Sequence, residues 1–314
     1  MTAAGPDVFV AGAGPAGLTI ARLLALKARR VFVASDDRPP NRRLELLTPA
    51  AFHTVEALGL EPLLRDKWVA RRCLGIRRLQ ERDRYEDFLR HPAREGFVVD
   101  RERFDARLRE AALAAGAQVL PMRVLGADDE GLSVRTPSGA LGRWPFDGVV
   151  VDATGRASAI ARRRGAEIVY RERRVAELVE EAKQKSDEPS WLDFENGEIG
   201  WSYCVCGPGG RSQTWRVHRA GRRIPDPGKR VDASARLLSH AAGERWIAIG
   251  DAATAFEPIA SQGLFNALST ALFAAGLLQS GEGLTRATAS AWTAVVTATF
   301  LHSEVGRRAN ALSI

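Results

Sequence analysis

The sequence predicts an α/β protein, a parallel sheet with helices on both faces joined to a second, smaller mixed sheet. Three observations point there. At the N-terminus an apolar segment runs through a glycine-rich turn into a helical stretch and then a second apolar segment. Two later apolar segments, 149–152 and 245–251, end in turns of small and polar residues, as buried parallel strands do where ligands bind. Between them, 200–206 and 213–218 read as further strands; over 200–206 the side chains alternate, so that one face can be wet.

The first unit is the most legible. Residues 7–11 read as a buried strand, and Gly12-Ala-Gly14-Pro15-Ala16-Gly17 follows at once. Residues 18–26 carry helix formers at apolar spacing, and 31–34 close a βαβ unit. In a Rossmann-like turn of this kind Gly12 allows the sharp bend and Gly14 the approach of a pyrophosphate. Gly17 lets helix and strand pack closely. The acid expected at the end of the second strand, for ribose hydroxyls, falls on Ser35, so Asp36 takes that role, with Asp37 beside it.

Further along, 48–60 reads as a helix with a threonine cap and a first-turn proline. Residues 70–80 read as a strand of the second sheet, and Asp100 as the start of a helix that stops at Gly116. Strands are expected at 118–125, 132–136 and 149–152, with a turn at Ser138-Gly139. The charged stretch 162–189 reads as partly helical and exposed, and 221–229, with two prolines, as a loop. The strand 245–251 delivers Gly250 and Asp251 to a connector, and a small-residue helix runs from Ser261 to 278. A last amphipathic helix spans 289–302 and is expected to dock on the body.

At 314 residues the chain exceeds one ordinary domain of roughly 100–200 residues. The parallel part is expected to be discontinuous, 1–69 with 97–160 and 236–285, and the covering part to be 70–96 with 161–235. Residues 286–314 form the C-terminal helical piece. The net charge of +7 comes from 40 arginines against five lysines. It suits either a solvated arginine-rich surface or an anionic partner such as a dinucleotide, an acidic peptide or RNA. No basic stripe interleaved with aromatics is present, so nothing in the sequence supports nucleic-acid binding. Three cysteines make no disulfide framework, Cys-Val-Cys alone is no zinc site, and no metal is expected. The start lacks a basic region before its apolar run, and no apolar stretch reaches about 18 residues, so a soluble cytoplasmic protein is expected.

Taken in order, Gly12-x-Gly14-x-x-Gly17, Asp152-Ala-Thr-Gly155-Arg156 and Gly250-Asp251-Ala-Ala resemble FAD-dependent monooxygenases of the hydroxybenzoate-hydroxylase fold. Phe256-Glu-Pro258-Ile-Ala-Ser261-Gln262-Gly263 is similar to the F-x-P-x-x-S-x-G signature of the flavin-dependent tryptophan-halogenase-like superfamily. Within it, 44–51 resembles the G-E-S-L-P-P-A-A segment of flavoproteins that hydroxylate a protein-bound tryptophan in quinone-cofactor maturation. The likeness runs from about 6 to 278 and is weak over 165–235. It implies FAD held by the three turns, by Pro15, Ala16, Asp36, Arg43 and Arg101, and by Pro258, Ser261, Gln262 and Gly263. Asp251 would take the ribityl hydroxyls, and the following helix N-terminus the N1–C2=O edge of the ring.

The implied activity is oxygen transfer from the flavin C4a position to an electron-rich aromatic, tryptophan by preference, free or within a peptide or protein. Electrons would come from NAD(P)H or a separate flavin reductase, since no second dinucleotide fingerprint is visible. Halogenases of this superfamily carry W-x-W-x-I-P and an essential lysine. Here Trp201-Ser-Tyr203 keeps the first tryptophan only, and Cys73 stands at the lysine's place, with Lys67 in the wrong context. Halogenation is therefore the second reading, and a non-oxygenating flavin oxidoreductase or an FAD-binding partner subunit the third. His53 and Glu45 are the candidate acid/base residues. Nothing in the sequence orients the His53 ring, which favours a surface or packing histidine, and Glu45 would contact the adenosine ribose, guard the active site or be a solvated helix-start acid. Trp201 and Tyr203 share one strand face and would form either an aromatic substrate wall or a sheet core.

Overall fold

The computed structural model describes residues 7–36, 39–80, 82–183, 189–221, 229–279 and 284–312. Four apolar residues in a row can be hidden only where both faces of a strand are covered, and β1 (Val8–Ala11) is buried throughout. It pairs in parallel with β2 (Val31–Ser35) on one side and β11 (Val149–Asp152) on the other. Outside these lie β7 (Gln118–Pro121) and β20 (Trp246–Ala248), also parallel, and β19 (Ala242–Gly243) adds an antiparallel edge. The order is β19-β20-β11-β1-β2-β7. Backbone hydrogen bonds continue past the strand ends, from Gly12 to Ala34 O (3.1 Å), Ala153 to Ala11 O (3.0 Å) and Ile249 to Asp152 O (3.0 Å). The turns after four strands are thereby drawn to one edge.

Helices α1 (Pro15–Ala25), α4 (Arg101–Ala114) and α6 (Gly263–Gln279) pack together beside this sheet. Asp100 caps α4 by accepting from the backbone N–H of Glu102 and Arg103. The last helix, α7 (Arg286–Leu312), is longer than its amphipathic core implied. Its Trp292 indole donates to Ala248 O at 3.0 Å, locking it to β20. No described helix is long and apolar enough to cross a membrane.

The second sheet is larger than the sequence suggested, with nine strands among the described residues. Its path is β17 (Arg230–Asp232), β13 (Arg174–Lys183), β16 (Arg211–Arg219), β15 (Gly200–Cys206), β14 (Ser190–Gly197), β4 (Ala70–Leu79), β6 (Gly96–Asp100) and β3 (Leu44–Leu47), and β5 (Arg84–Asp87) also pairs with β4. It thus takes in β3 and β6, from ranges the sequence assigned to the nucleotide part. Its core joins Leu44, Val98, Phe194, Trp201, Trp215 and Val217 with smaller neighbours. Two small three-stranded sheets complete the chain, β8 (Arg123–Asp128) with β9 (Gly131–Arg135) and β10 (Leu141–Trp144), and β12 (Ile168–Glu172) with β18 (Ala235–Leu238) and β21 (Thr254–Ala255).

Several expectations change. The strand expected over 118–125 is two strands in two different sheets, parted at Met122. The charged stretch expected to be partly helical and exposed contains β13, an interior strand paired with β16 from Arg174 to Lys183, whose second half is indeed exposed. Its charge is accommodated by pairing, since buried Glu177 accepts from Arg230 at 3.1 Å. No strand was expected where β14 lies. The helix expected over 48–60 is a short 3-10 turn, Pro49–Ala51, followed by α2 (Phe52–Ala57). The strand expected over 245–251 spans only 246–248 before a tight turn at Gly250. The Ser138-Gly139 turn is present, with Gly139 at φ 88°. Most of the expected loop at 221–229 lies outside the described residues.

Candidate functional site

A cavity of about 750 Å³ lies between the carboxyl edge of the first sheet and the inner face of the second. At its base is the Gly12–Ala16 turn. Gly12 has φ 114°, and a Cβ there would fall 2.3 Å from Ala153 O, so no other residue fits this bend. Gly14 is the opposite case. A Cβ on it would meet nothing within 4 Å, because the position faces the cavity. Gly17 lies behind the lining, against the Gly12 carbonyl, where it sets how closely α1 packs. The first turn of α1 contains no acidic residue, so its positive end is open to an anion.

At one end of the cavity Ser35 and Asp36 are joined by Arg109 and Arg123. Arg109 donates to Ser35 Oγ at 3.1 Å, and Arg123 Nε lies 4.0 Å from the Asp36 carboxylate. Asp37 lies outside the described residues. Asp152 does not reach the cavity, which corrects its expected cofactor contact. Its carboxylate is fully buried and accepts from Thr154 N and Oγ1, Ile160 N and Ala161 N. It shapes the turn that presents Thr154, Gly155 and Arg156 to the cavity.

Arg101, Glu45 and Arg43 all line the cavity and form one cluster. Arg101 holds Glu45 at 2.8 Å and Asp105 through two bonds of 3.0 Å, while Arg43 lies 3.5 Å from Glu45. Burial works against the charge of Glu45, but the guanidinium groups of Arg101 and Arg43 outweigh it and hold the carboxyl below its ordinary range. A carboxylate so held is a weak base, which argues for an anchoring role instead of the proton-transfer role considered for it. His53 is on the exposed side of α2, 3.7 Å from Glu56 and outside the cavity lining.

Toward the opposite end lie Asp251 and the Pro258–Gly263 turn. Gly250 is just behind Asp251, packed on Ala16 with φ 56°. Arg156 reaches from the β11 turn to within 3.4 Å of the Asp251 carboxylate, and donates to Phe256 O at 3.3 Å. Ser261 adopts a left-handed conformation, φ 47°, that turns the chain into α6. Gln262 accepts from Ser303 on α7 at 2.6 Å, and Gly263 opens α6 with no acid in its first turn. Two positive helix ends therefore face one cavity.

The inner face of the second sheet supplies the remaining wall. Trp201 is buried, its ring 5.5 Å from Phe194 and 5.6 Å from Tyr203 between centroids. All three line the cavity with Trp215. Burial pushes the Tyr203 phenol above its ordinary value, so it stays neutral. Sequence reasoning missed Glu257, although it lies in the quoted Phe256–Gly263 stretch. It is 3% exposed, lines the cavity, and accepts from the Trp201 indole at 3.1 Å and from Arg174 at 2.9 Å. A glutamate between phenylalanine and proline in an otherwise apolar run was the available signal. Arg174 could not be found that way, because its strand was read as exposed.

No protein-family model and no curated protein matches this sequence. Solved structures match in fold. The peptidyl tryptophan dihydroxylase QhpG, essential for tryptophylquinone cofactor biogenesis, is 23% identical with a TM-score of 0.76, over 96% of this chain and 73% of QhpG. The flavin-dependent brominase Bmp2 is 17% identical with a TM-score of 0.76, over 93% and 84%. A geranylgeranyl bacteriochlorophyll reductase-like protein from Thermoplasma acidophilum is 18% identical with a TM-score of 0.79, over 97% and 87%. The chain has the α/β fold of these proteins, a parallel-stranded sheet with a large second sheet.

Proposed function

We propose that this chain is an FAD-dependent oxidoreductase that hydroxylates an electron-rich aromatic compound, tryptophan by preference. The observation that carries this reading is the continuity of one cavity, from an anion-ready glycine turn, past a second helix start with no acid in its first turn, to a wall of aromatic side chains. The residues present fit FAD. Gly14 and Gly263 leave open space where a Cβ would stand, and both belong to turns at positive helix ends. Gly12 to Ala16 would hold the pyrophosphate, Asp36 the adenosine ribose, and Asp251 the ribityl chain. Arg43 and Arg101 would flank the nucleotide. Bound FAD supplies the electrons and the activated oxygen.

The protein's own part is orientation and exclusion of water. The α6 N-terminus would favour negative charge on a bound flavin ring. Glu257 fixes the Trp201 indole, and Arg174 neutralises Glu257, so the substrate wall is braced against the Pro258 turn. Electrons would come from NAD(P)H or a separate flavin reductase. A halogenating reading is weakened by two features. No lysine is found among the described residues lining the cavity, and Cys73 is a buried thiol pushed up to about 11 by its burial. It cannot stand in for a cationic relay.

The test is reconstitution with FAD followed by turnover with a reductant, oxygen and an aromatic acceptor, including a peptide or protein expressed from the same locus, read by intact mass. A gain of one oxygen supports hydroxylation. A chlorine or bromine isotope pattern assigns halogenation instead, and oxygen consumption without product an oxidase. Bound flavin with no oxygen consumption under any reductant would leave a binding partner, and failure to take up FAD would sink the proposal.

A further inference from the structure

The strand register of the second sheet makes an arrangement that neither the aromatic wall nor the nucleotide site explains. Arg78 on β4 is the register partner of Phe194 on β14, Phe194 of Tyr203 on β15, and Tyr203 of Trp215 on β16. Register partners on adjacent strands share a face, so these four side chains form one row across the sheet. All four line the cavity. The row is three aromatic rings ended by a guanidinium, and the Arg78 guanidinium lies 5.1 Å from the Phe194 ring centroid. Stacked this way, an arginine keeps its in-plane N–H groups for a planar anion.

The charge balance around Arg78 favours an incoming anion. Across the sheet its register partner on β5 is another arginine, Arg84. The ionic contact of Arg78 within the protein is with Glu86, at 3.8 Å, and Glu86 is 59% exposed. That is a long contact to a solvated carboxylate, worth little and easily exchanged. Arg101 is different, clamped by Glu45 and Asp105 at 2.8 and 3.0 Å in the wall.

From this we infer that Arg78 is a specificity-determining residue, and that the aromatic acceptor carries its own carboxylate, which Arg78 binds in place of Glu86 while the ring lies along Phe194 and Tyr203. The inference rests on the proposed aromatic-acceptor reading and narrows it to aromatic acids. An aromatic side chain in the interior of a peptide, which has no carboxylate at that distance, would lack this contact.

The test is calorimetric titration of the purified protein with benzoate, phenylpropionate and indole-3-propionate, each against its primary amide, with FAD uptake measured on the same preparations. At least one acid is expected to bind about tenfold tighter than its amide, the size of a charge-assisted contact. Arg78→Gln should bring that ratio close to one, and Arg78→Lys should restore only part of it, because lysine cannot form the planar pair. If Arg78→Gln does not fold, Glu86→Gln decides the matter, since removal of an exposed competitor should tighten acids and leave amides unchanged. Equal binding of acids and amides, or a preference that survives Arg78→Gln, overturns the inference, as does a peptide with an internal tryptophan binding tighter than any acid. Normal FAD uptake in those cases leaves the flavoenzyme reading standing. Failed FAD uptake with the acid preference intact would sink that reading and keep the aromatic-acid site.

Discussion

The two sheets of this molecule meet at one cavity but build their halves of it from different chemical groups. The parallel sheet contributes backbone: three turns drawn to one edge, glycines without side chains, and two helix starts whose N–H groups point inward. The nine-stranded sheet contributes side chains, with Phe194, Tyr203 and Trp215 in register and Glu257 reaching across from the adjoining Phe256–Gly263 turn to brace Trp201. A backbone surface binds what many nucleotides share, phosphate charge and ribose hydroxyls. A side-chain surface discriminates, and it can change without disturbing the other half. If that division is right, mutations on the two sides should fail in different ways.

The largest effect should come from Gly12→Val. At φ 114°, with Ala153 O 2.3 Å from any Cβ, the turn cannot keep its shape with a β-branched residue. A loss of more than about 3 kcal/mol is expected, from backbone strain plus separation of β1 from β11. The measurement is thermal unfolding with flavin uptake on the same sample. A variant that melts like the parent would mean this turn is not the rigid edge described.

A smaller and pH-dependent effect is expected from Glu45→Gln, on the second sheet. The folded-state carboxyl is held below its unfolded value of about 4.3 by Arg101 and Arg43. Its contribution is therefore fully present above that value and lost as pH falls through the lower folded one. Glu45→Gln should cost about 2 kcal/mol at pH 7, the scale of a hydrogen bond to a charged group. The gap between the parent and this variant should close below about pH 4. Denaturant titrations at pH 7, 5 and 3.5 would show it. A constant gap would mean that the glutamate acts through packing and not through charge.

The same division explains what could be read from the sequence. Gly12, Gly14 and Gly17 fall within six consecutive residues between two apolar runs, so spacing alone drew attention to them. Asp251 and the Ser261–Gly263 turn were legible for the same reason. The aromatic row was not, because Arg78, Phe194 and Trp215 meet only through the pairing of β4, β14 and β16, which no window of sequence contains. Strand β13 was misread as partly helical because only Ala176 and Glu177 on it are buried, the latter paired with Arg230, and its exposed second half carries the composition of a solvated segment. Asp152 was expected to contact a cofactor, but it is fully buried behind the cavity lining. Four donors within its own loop already occupy it.

The smallest effect on stability, and the sharpest division of fold from binding, should come from Gly14→Ala. Gly14 needs no unusual backbone, since its φ is −82°, and an added methyl group would touch nothing within 4 Å. It is the cap of α1, where glycine and alanine differ by about 1 kcal/mol or less. Stability should therefore move little. The methyl would instead occupy the space the pyrophosphate needs, in front of the helix N–H groups that bind it. FAD affinity should fall at least about tenfold, or roughly 1.4 kcal/mol of binding free energy. Comparison of melting temperatures with and without FAD reads both quantities from one protein, because a ligand that binds only the folded state raises the melting temperature with the logarithm of its affinity. An alanine variant that keeps its FAD-induced shift would place the phosphates elsewhere along the cavity, and the backbone half of the site would have to be redrawn around the α6 end.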